Sequence, residues 1–446
     1  MNYVPHTSED RSEMLKVIGV SSIDELFSDV PSEVKLHREL NLPAAMSEFE
    51  LIKYMSGLAG KNTTTDNMVS FLGAGVYDHY VPSVVKHIIS RSEFYTSYTP
   101  YQAEISQGML QSIFEYQTLM CELTAMDISN ASLYDGATAI AEAAMMASRL
   151  TRKQEVIISR AVHPDYRRTL RTYAHNLELN VIEVPFKHGA TDIEALRDLV
   201  SDETACVILQ SPNFFGCIEN MALAAEVAHG EKALFVACVD PISLGILAPP
   251  GEYGADIAVG EGQGLGIPMG FGGPHLGFLT CRKEHLRQMP GRVAGETHDS
   301  QGRRGYLLTL QAREQHIRRD RATSNICSNQ ALCALAATVY LSWLGKQGIK
   351  EVAELCVQKA HYACEKLSLI PGFEQKHEAP FFKEFVVKTP LKPEELCADL
   401  LEANILGGLP LGRFYSDLSD SILVAVTEKR TKEEIDTLCR ALEGLV

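Results

Sequence analysis

Between residues 130 and 281 short apolar runs alternate with longer segments that carry one apolar face. The runs are "EVIISR" (155–160), "NVIEVPF" (180–186), "TACVILQ" (204–210), "ALFVACVD" (233–240), "DIAVG" (256–260) and "HLGFLTC" (275–281). They are rich in β-branched and aliphatic residues with few polar interruptions, which predicts strands buried on both faces. Between them, "DGATAIAEAAMMASRLT" (135–151), "HPDYRRTLRTYAHNL" (163–177), "DIEALRDLV" (192–200) and "NMALAAEVAHG" (220–230) predict helices. Strands separated by helices imply an α/β fold with a mostly parallel, doubly wound sheet. Ligands of such sheets bind beyond the carboxyl ends of the strands.

The flanks follow other patterns. Residues 1–65 are expected to form an N-terminal helical arm packed on something larger. Ser22-Ile-Asp-Glu25 and Ser47-Glu-Phe-Glu50 each place a capping hydroxyl three residues before a carboxylate. Residues 66–330 are expected to form the large domain. Within it, Tyr95, Tyr98 and Tyr101 cluster in a polar turn, where Pro100 bars an early helix start. A long helix from about Ser328 then leads into a small α+β domain, residues 331–446. Its strands are "KEFVVKT" and "SILVAVT", and its helices "KPEELCADLLEAN" and "TKEEIDTLCRALEGL".

Composition narrows the function classes. A formal net charge of −16 argues against a nucleic-acid partner, which would require a basic surface. No apolar run reaches the roughly 18 residues of a membrane span. The acidic start "MNYVPHTSEDRSEML" lacks the basic and apolar regions of a secretory signal. Eleven cysteines occur without a C-x-x-C pair, which fits buried reduced thiols and a cytoplasmic location. No histidine pair at ligand spacing has a third ligand in view, so no metal site is expected.

The loop after "GADIAV" carries Gly260, Gly262, Gly264 and Gly266. It fails the dinucleotide fingerprint, because Leu265 and Ile267 stand where the third glycine belongs. No Gly-Lys-Ser or Gly-Lys-Thr is present, so the P-loop is absent as well. A better template is the large domain of fold type I pyridoxal-phosphate enzymes of the aminotransferase kind. Asp135-Gly136-Ala137-Thr138 opens a helix and is either a phosphate cup or an ordinary N-cap. His163, after the first strand, is either the group stacked on the pyridine ring or a solvated loop residue. Asp240 ends a strand where an aspartate would pair with the pyridine nitrogen. The lysine that would complete the set is missing, since none occurs between Asp240 and Arg282.

The runs "SYTPYQAEISQG", "FEYQTLMCELTAMDISNASLYDGATA", Pro249-Pro250-Gly251-Glu252, "GIPMGFGGPHLGF" and "REQHIRRDRATSNICSNQAL" resemble the glycine cleavage system P-protein. The resemblance is to its subunit 1 type, the alpha subunit of glycine dehydrogenase (decarboxylating), and covers the whole chain. It implies an enzyme that works in a heteromer and not alone. With a beta subunit, in the α2β2 assembly that the resemblance implies, glycine would be decarboxylated on pyridoxal phosphate. CO2 would be released, and the aminomethyl group passed to the lipoyl group of H-protein. The family's His-Lys-Thr motif falls here on Gln263-Gly264-Leu265, so the cofactor would be held covalently by the beta subunit. Asp135, Gly136, Ala137, Thr138, His163 and Asp240 would then be vestigial cofactor positions.

Two segments are assigned to the shared site by analogy with that fold. Thr323, Ser324 and Asn325 would reach the partner's phosphate, or else merely cap a helix starting at Asn325 or Ser328. Tyr98, Thr99, Tyr101 and Gln102 would line the substrate or lipoyl pocket, or else pack the heterodimer. The arginines from Arg303 to Arg321 would dock an acidic H-protein, or pair with acids of this chain or of beta. Two rivals remain: a self-sufficient enzyme with another nucleophile, and a non-catalytic regulatory or scaffold protein on the same fold.

Overall fold

The computed structural model describes residues 5–446, so the first four residues of the expected arm lie outside it. The chain divides into two units, one ending at Thr63 and the other spanning Thr64–Val446. The first contains the helices Ser8–Ile18 and Glu48–Ala59, with a short 3-10 turn at Ile23–Phe27. Capping boxes at Thr7/Asp10 and Ser47/Glu50 start the two helices. None of the described residues of this unit is buried.

The second unit is built on a seven-stranded sheet. From edge to edge its strands are Ile128–Ser129, Gly277–Cys281, Ile257–Glu261, Leu234–Val239, Thr204–Ser211, Glu155–Ser159 and Asn180–Val184. The last five in that order are parallel neighbours, and the first two pair antiparallel. The strands are apolar at successive positions because both faces are covered. Ile157, Val207, Leu209, Phe235 and Ala237 join one core cluster, and Val156, Ile158, Cys206, Ile208 and Val236 join the other. The helix Gly136–Thr151 packs on the second face through Ala139, Ala143, Ala144 and Ala147, whose small side chains let it lie close to the strands.

A four-stranded antiparallel sheet follows, in the order Glu374–Gln375, Glu384–Lys388, Ser421–Ala425, Leu409–Pro410. The helices Pro393–Glu402 and Lys432–Glu443 contribute Leu396, Leu400, Ile435 and Leu438 to its core. The long helix Ala331–Ser368 adds residues to this core and to that of the large sheet. It begins at Ala331, later than the sequence suggests, and Gly345 interrupts it with a positive φ of 59°. Among the described residues no helix is long and apolar enough to cross a membrane.

Candidate functional site

Strand directions bring the anticipated residues to one edge. Ser159, Val239 and Glu261 end parallel strands, so His163, Asp240 and Glu261 gather at their carboxyl ends. The start of Gly136–Thr151 reaches the same edge, where Leu133 bridges to Gly277.

At the positions that the sequence reading assigned to a pyridoxal phosphate, side chains of this protein bond to one another. At the helix start, Asp135 Oδ1 accepts from Thr138 N at 2.7 Å, completing a capping box. Gly136 N donates to Glu261 Oε2 at 3.0 Å. The other oxygen of Glu261 accepts from Gln263 N at 3.0 Å and Leu276 N at 2.9 Å. Glu261 thus takes one N–H of the helix start and Asp135 another, where the helix dipole would favour an anion. Of the two sequence readings of this turn, the structure shows the helix cap.

His163 is buried, which excludes the solvated-loop alternative. It caps the helix Pro164–His175 by accepting from Asp165 N at 3.1 Å. Its Nε2 lies 2.9 Å from the Ala74 carbonyl. Burial holds its pKa below the usual histidine range. The ring is stacked, but on Tyr166, at 4.6 Å between centroids and 25° between planes. A Cβ on Gly136 would stand 2.7 Å from the Tyr166 hydroxyl, so this tyrosine fills the space between His163 and the helix start.

Asp240 is paired with an internal cation. Lys383 Nζ lies 2.5 Å from Asp240 Oδ2 and 2.9 Å from His79 Nε2, and sits 3.5 Å above the Tyr77 ring. With Lys383 donating to Nε2, His79 carries its own proton on Nδ1, 2.6 Å from Glu428 Oε2. A Cβ at Gly264, the position to which the sequence resemblance assigns the lysine, would meet His79 Cδ2 at 3.0 Å. Gln263 faces Tyr77, whose N–H donates to Oε1 at 2.9 Å. Next to this network Glu384 accepts from Ala74 N at 2.6 Å and from the Tyr77 hydroxyl at 2.7 Å. Burial pushes its carboxyl up to about 7 despite those bonds. These residues do not fit the cofactor: a carboxylate replaces its phosphate, an ammonium its ring nitrogen, and glycine its lysine.

The other two anticipated segments lie elsewhere on the second unit. Thr323, Ser324 and Asn325 line a cavity of about 680 Å³ shared with Arg149 and Tyr173. They do not cap the long helix, whose N-cap is Gln330. Ser324 Oγ donates to Glu142 Oε1 at 2.7 Å and accepts from Ile326 N at 3.0 Å, so its hydroxyl is committed within the chain. Burial raises the Glu142 carboxyl to about 7, although Ser324 and Arg149 oppose it.

The tyrosine turn is exposed at Tyr98 and Tyr101. Thr99 and Tyr101 nevertheless bind the buried Arg292, at 3.0 Å to Thr99 Oγ1 and 3.2 Å to the Tyr101 hydroxyl. Gln102 is the N-cap residue of the short turn Ala103–Ile105, without a side-chain cap bond. Of the arginine run, Arg303 pairs with Asp299 at 2.8 Å, and Arg313 and Arg318 donate to carbonyls of their own neighbourhood.

Sequence reasoning missed Glu261, Lys383, His79, Tyr166 and Arg292. Glu261 carried a signal, as a lone acid among glycines at a strand end. Lys383 and His79 carried none, because their partners are remote in sequence.

The family described as glycine cleavage system P-protein matches residues 1–442. The chain is 56% identical to the probable glycine dehydrogenase (decarboxylating) subunit 1 of Desulforamulus reducens, over 100% of both chains. It is 58% identical to the protein of that name from Carboxydothermus hydrogenoformans, again over 100% of both. A crystal structure of glycine decarboxylase (P-protein) of the glycine cleavage system, in inhibitor-bound form, superposes with a TM-score of 0.92 at 44% identity, covering 100% of both chains. An alanine–glyoxylate aminotransferase from Nostoc shares the fold, with a TM-score of 0.61 at 18% identity over 85% of this chain and 95% of that one.

Proposed function

The chain belongs to the glycine cleavage system P-protein family, and from that premise we propose that it is the alpha subunit of a heteromeric glycine dehydrogenase (decarboxylating) that carries no cofactor of its own. Its partner is a beta subunit, in an α2β2 assembly in the cytoplasm, and the other participants are glycine and lipoylated H-protein. Pyridoxal phosphate on beta supplies the electron sink for loss of the glycine carboxylate as CO2. The aminomethyl group then goes to the lipoyl group.

The observation that carries this reading is the self-filled chamber, with Glu261 on the helix start and Lys383 on Asp240. Such a chain serves catalysis by completing a neighbour's site. Thr323 and Asn325 have the free polar groups to reach the partner's phosphate, while Ser324 holds their turn through Glu142. The tyrosine turn walls the substrate or lipoyl side, with exposed rings that gain from burial under a neighbour.

The test is reconstitution. This chain with pyridoxal phosphate is compared with the same chain plus beta, by visible absorbance and by glycine–CO2 exchange. Exchange is expected only from the pair. A cofactor band with exchange from this chain alone would refute the assignment. Replacing Thr323, Ser324 and Asn325 by alanine should weaken cofactor retention by the pair, and unchanged retention removes the phosphate role.

A further inference from the structure

Arg292 joins the tyrosine turn to Cys327 and Ser328, just beyond the Thr323–Asn325 segment. It is 4% exposed, and its backbone is fixed where its carbonyl accepts from Ala131 N at 2.8 Å. One terminal nitrogen donates to Thr99 Oγ1 at 3.0 Å and lies 3.4 Å from Ser328 Oγ. The other donates to the Tyr101 hydroxyl at 3.2 Å and the Cys327 carbonyl at 2.7 Å. Its charge centre stands 5.4 Å from the Tyr101 ring centroid, and its Nε lies 3.9 Å from Glu314 Oε2. Each nitrogen therefore bridges the tyrosine turn to residues 327–328. Those residues are held independently by Tyr134, whose hydroxyl accepts from Cys327 N at 3.1 Å.

We infer that Arg292 is a positioning residue, the buried fork that locks Thr99 and Tyr101 to Cys327 and Ser328, and through them anchors the C-terminal end of the Thr323–Ser328 segment. The inference rests on reading both segments as parts of the partner's site. The physical reason is geometric. A guanidinium offers diverging donors in a fixed plane, so one side chain can bind two strands of chain at set spacing. An ammonium at the same place keeps the charge opposite Glu314 but cannot span both segments. Orientation is where such a lock acts, since small misplacements at a reacting centre are costly in rate.

Arg292→Lys separates the fork from the charge, and Arg292→Gln removes both. In the full chain, amide hydrogen exchange is followed for residues 97–102 and 323–330. Arg292→Lys should accelerate exchange in both segments together, while the sheet strands keep their protection. In the reconstituted pair, kcat/KM for glycine–CO2 exchange should fall by about 10- to 100-fold. The losses from Tyr101→Phe and Thr323→Ala should be non-additive with Arg292 present and additive in Arg292→Lys. Acceleration in one segment only, in neither, or across the strands as well overturns the lock. Coupled acceleration with kcat/KM within twofold of the parent overturns its role in the site. If the triple alanine variant retains cofactor normally while Arg292→Lys still frees both segments, the phosphate reading fails and the lock stands.

Discussion

Glu261 accepts the N–H of Gly136 at 3.0 Å, so the helix start at Asp135–Thr138 meets a carboxylate of its own chain. Glu261→Ala would leave this donor and those of Gln263 and Leu276 without their acceptor. The expected cost is about 2 to 4 kcal/mol. Sulfate or inorganic phosphate should restore part of that loss in the variant and have little effect on the parent, because the opened helix start favours an anion. Thermal unfolding with and without the anion measures both. Equal stabilisation of variant and parent would mean that Glu261 does not fill the cup.

Lys383 and Asp240 form a buried pair. Lys383→Met should destabilise the chain by about 3 to 5 kcal/mol, because Asp240 is left charged and unpaired. Adding Asp240→Asn should recover much of the loss. Denaturant unfolding of the two singles and the double gives the coupling. Additive effects would remove the pair from the account of the chamber.

Gly264→Lys should not produce a cofactor-bound chain. His79 lies against the new Cβ position and is held between Lys383 and Glu428. Absorbance of the purified variant after incubation with pyridoxal phosphate should match that of the parent. A new visible band that survives dialysis would show that the chamber opens more readily than its contacts imply.

His377 is buried against Phe215, 5.1 Å between ring centroids, and its Nε2 has no hydrogen-bond partner. Burial, aided by Lys376 and His188, takes its pKa down to about 4. A folded-state value below the unfolded one gives stability that is present above pH 6.5 and is lost as pH falls toward 4. His377→Phe should remove that part of the acid loss, roughly 3 kcal/mol at most. Glu384 acts with the opposite sign: its raised pKa means stability lost as pH rises from 4.5 to about 7. The difference between variant and parent therefore isolates the histidine. Parallel stability curves from pH 6.5 to 4 would refute the assignment.

Much of the fold was legible because its signals are local. The strands at 155–159, 204–211 and 234–239, the N-caps Asp135 and Ser47, and the order of His163 and Asp240 all follow from short-range patterns. The missing lysine was legible for the same reason, as was the likeness to a family with two kinds of subunit. The later start of the long helix, at Ala331, was not, because the preceding residues are taken up by the large domain. Gln330 N donates to Ser132 Oγ, and Asn329 Nδ2 to the Ala131 carbonyl.

The sequence by itself determined the alternation of elements, their caps and the absence of a lysine between Asp240 and Arg282. Only the tertiary structure decided what stands in the chamber instead. Glu261 meets Gly136, Lys383 meets Asp240, and Arg292 joins Tyr101 to Cys327 across long stretches of chain. Helix and strand preferences act within a few residues, and so can be read along the chain. Charge pairing and hydrogen bonding depend on distance in space, which only the folded arrangement of sheet, loop and small domain sets.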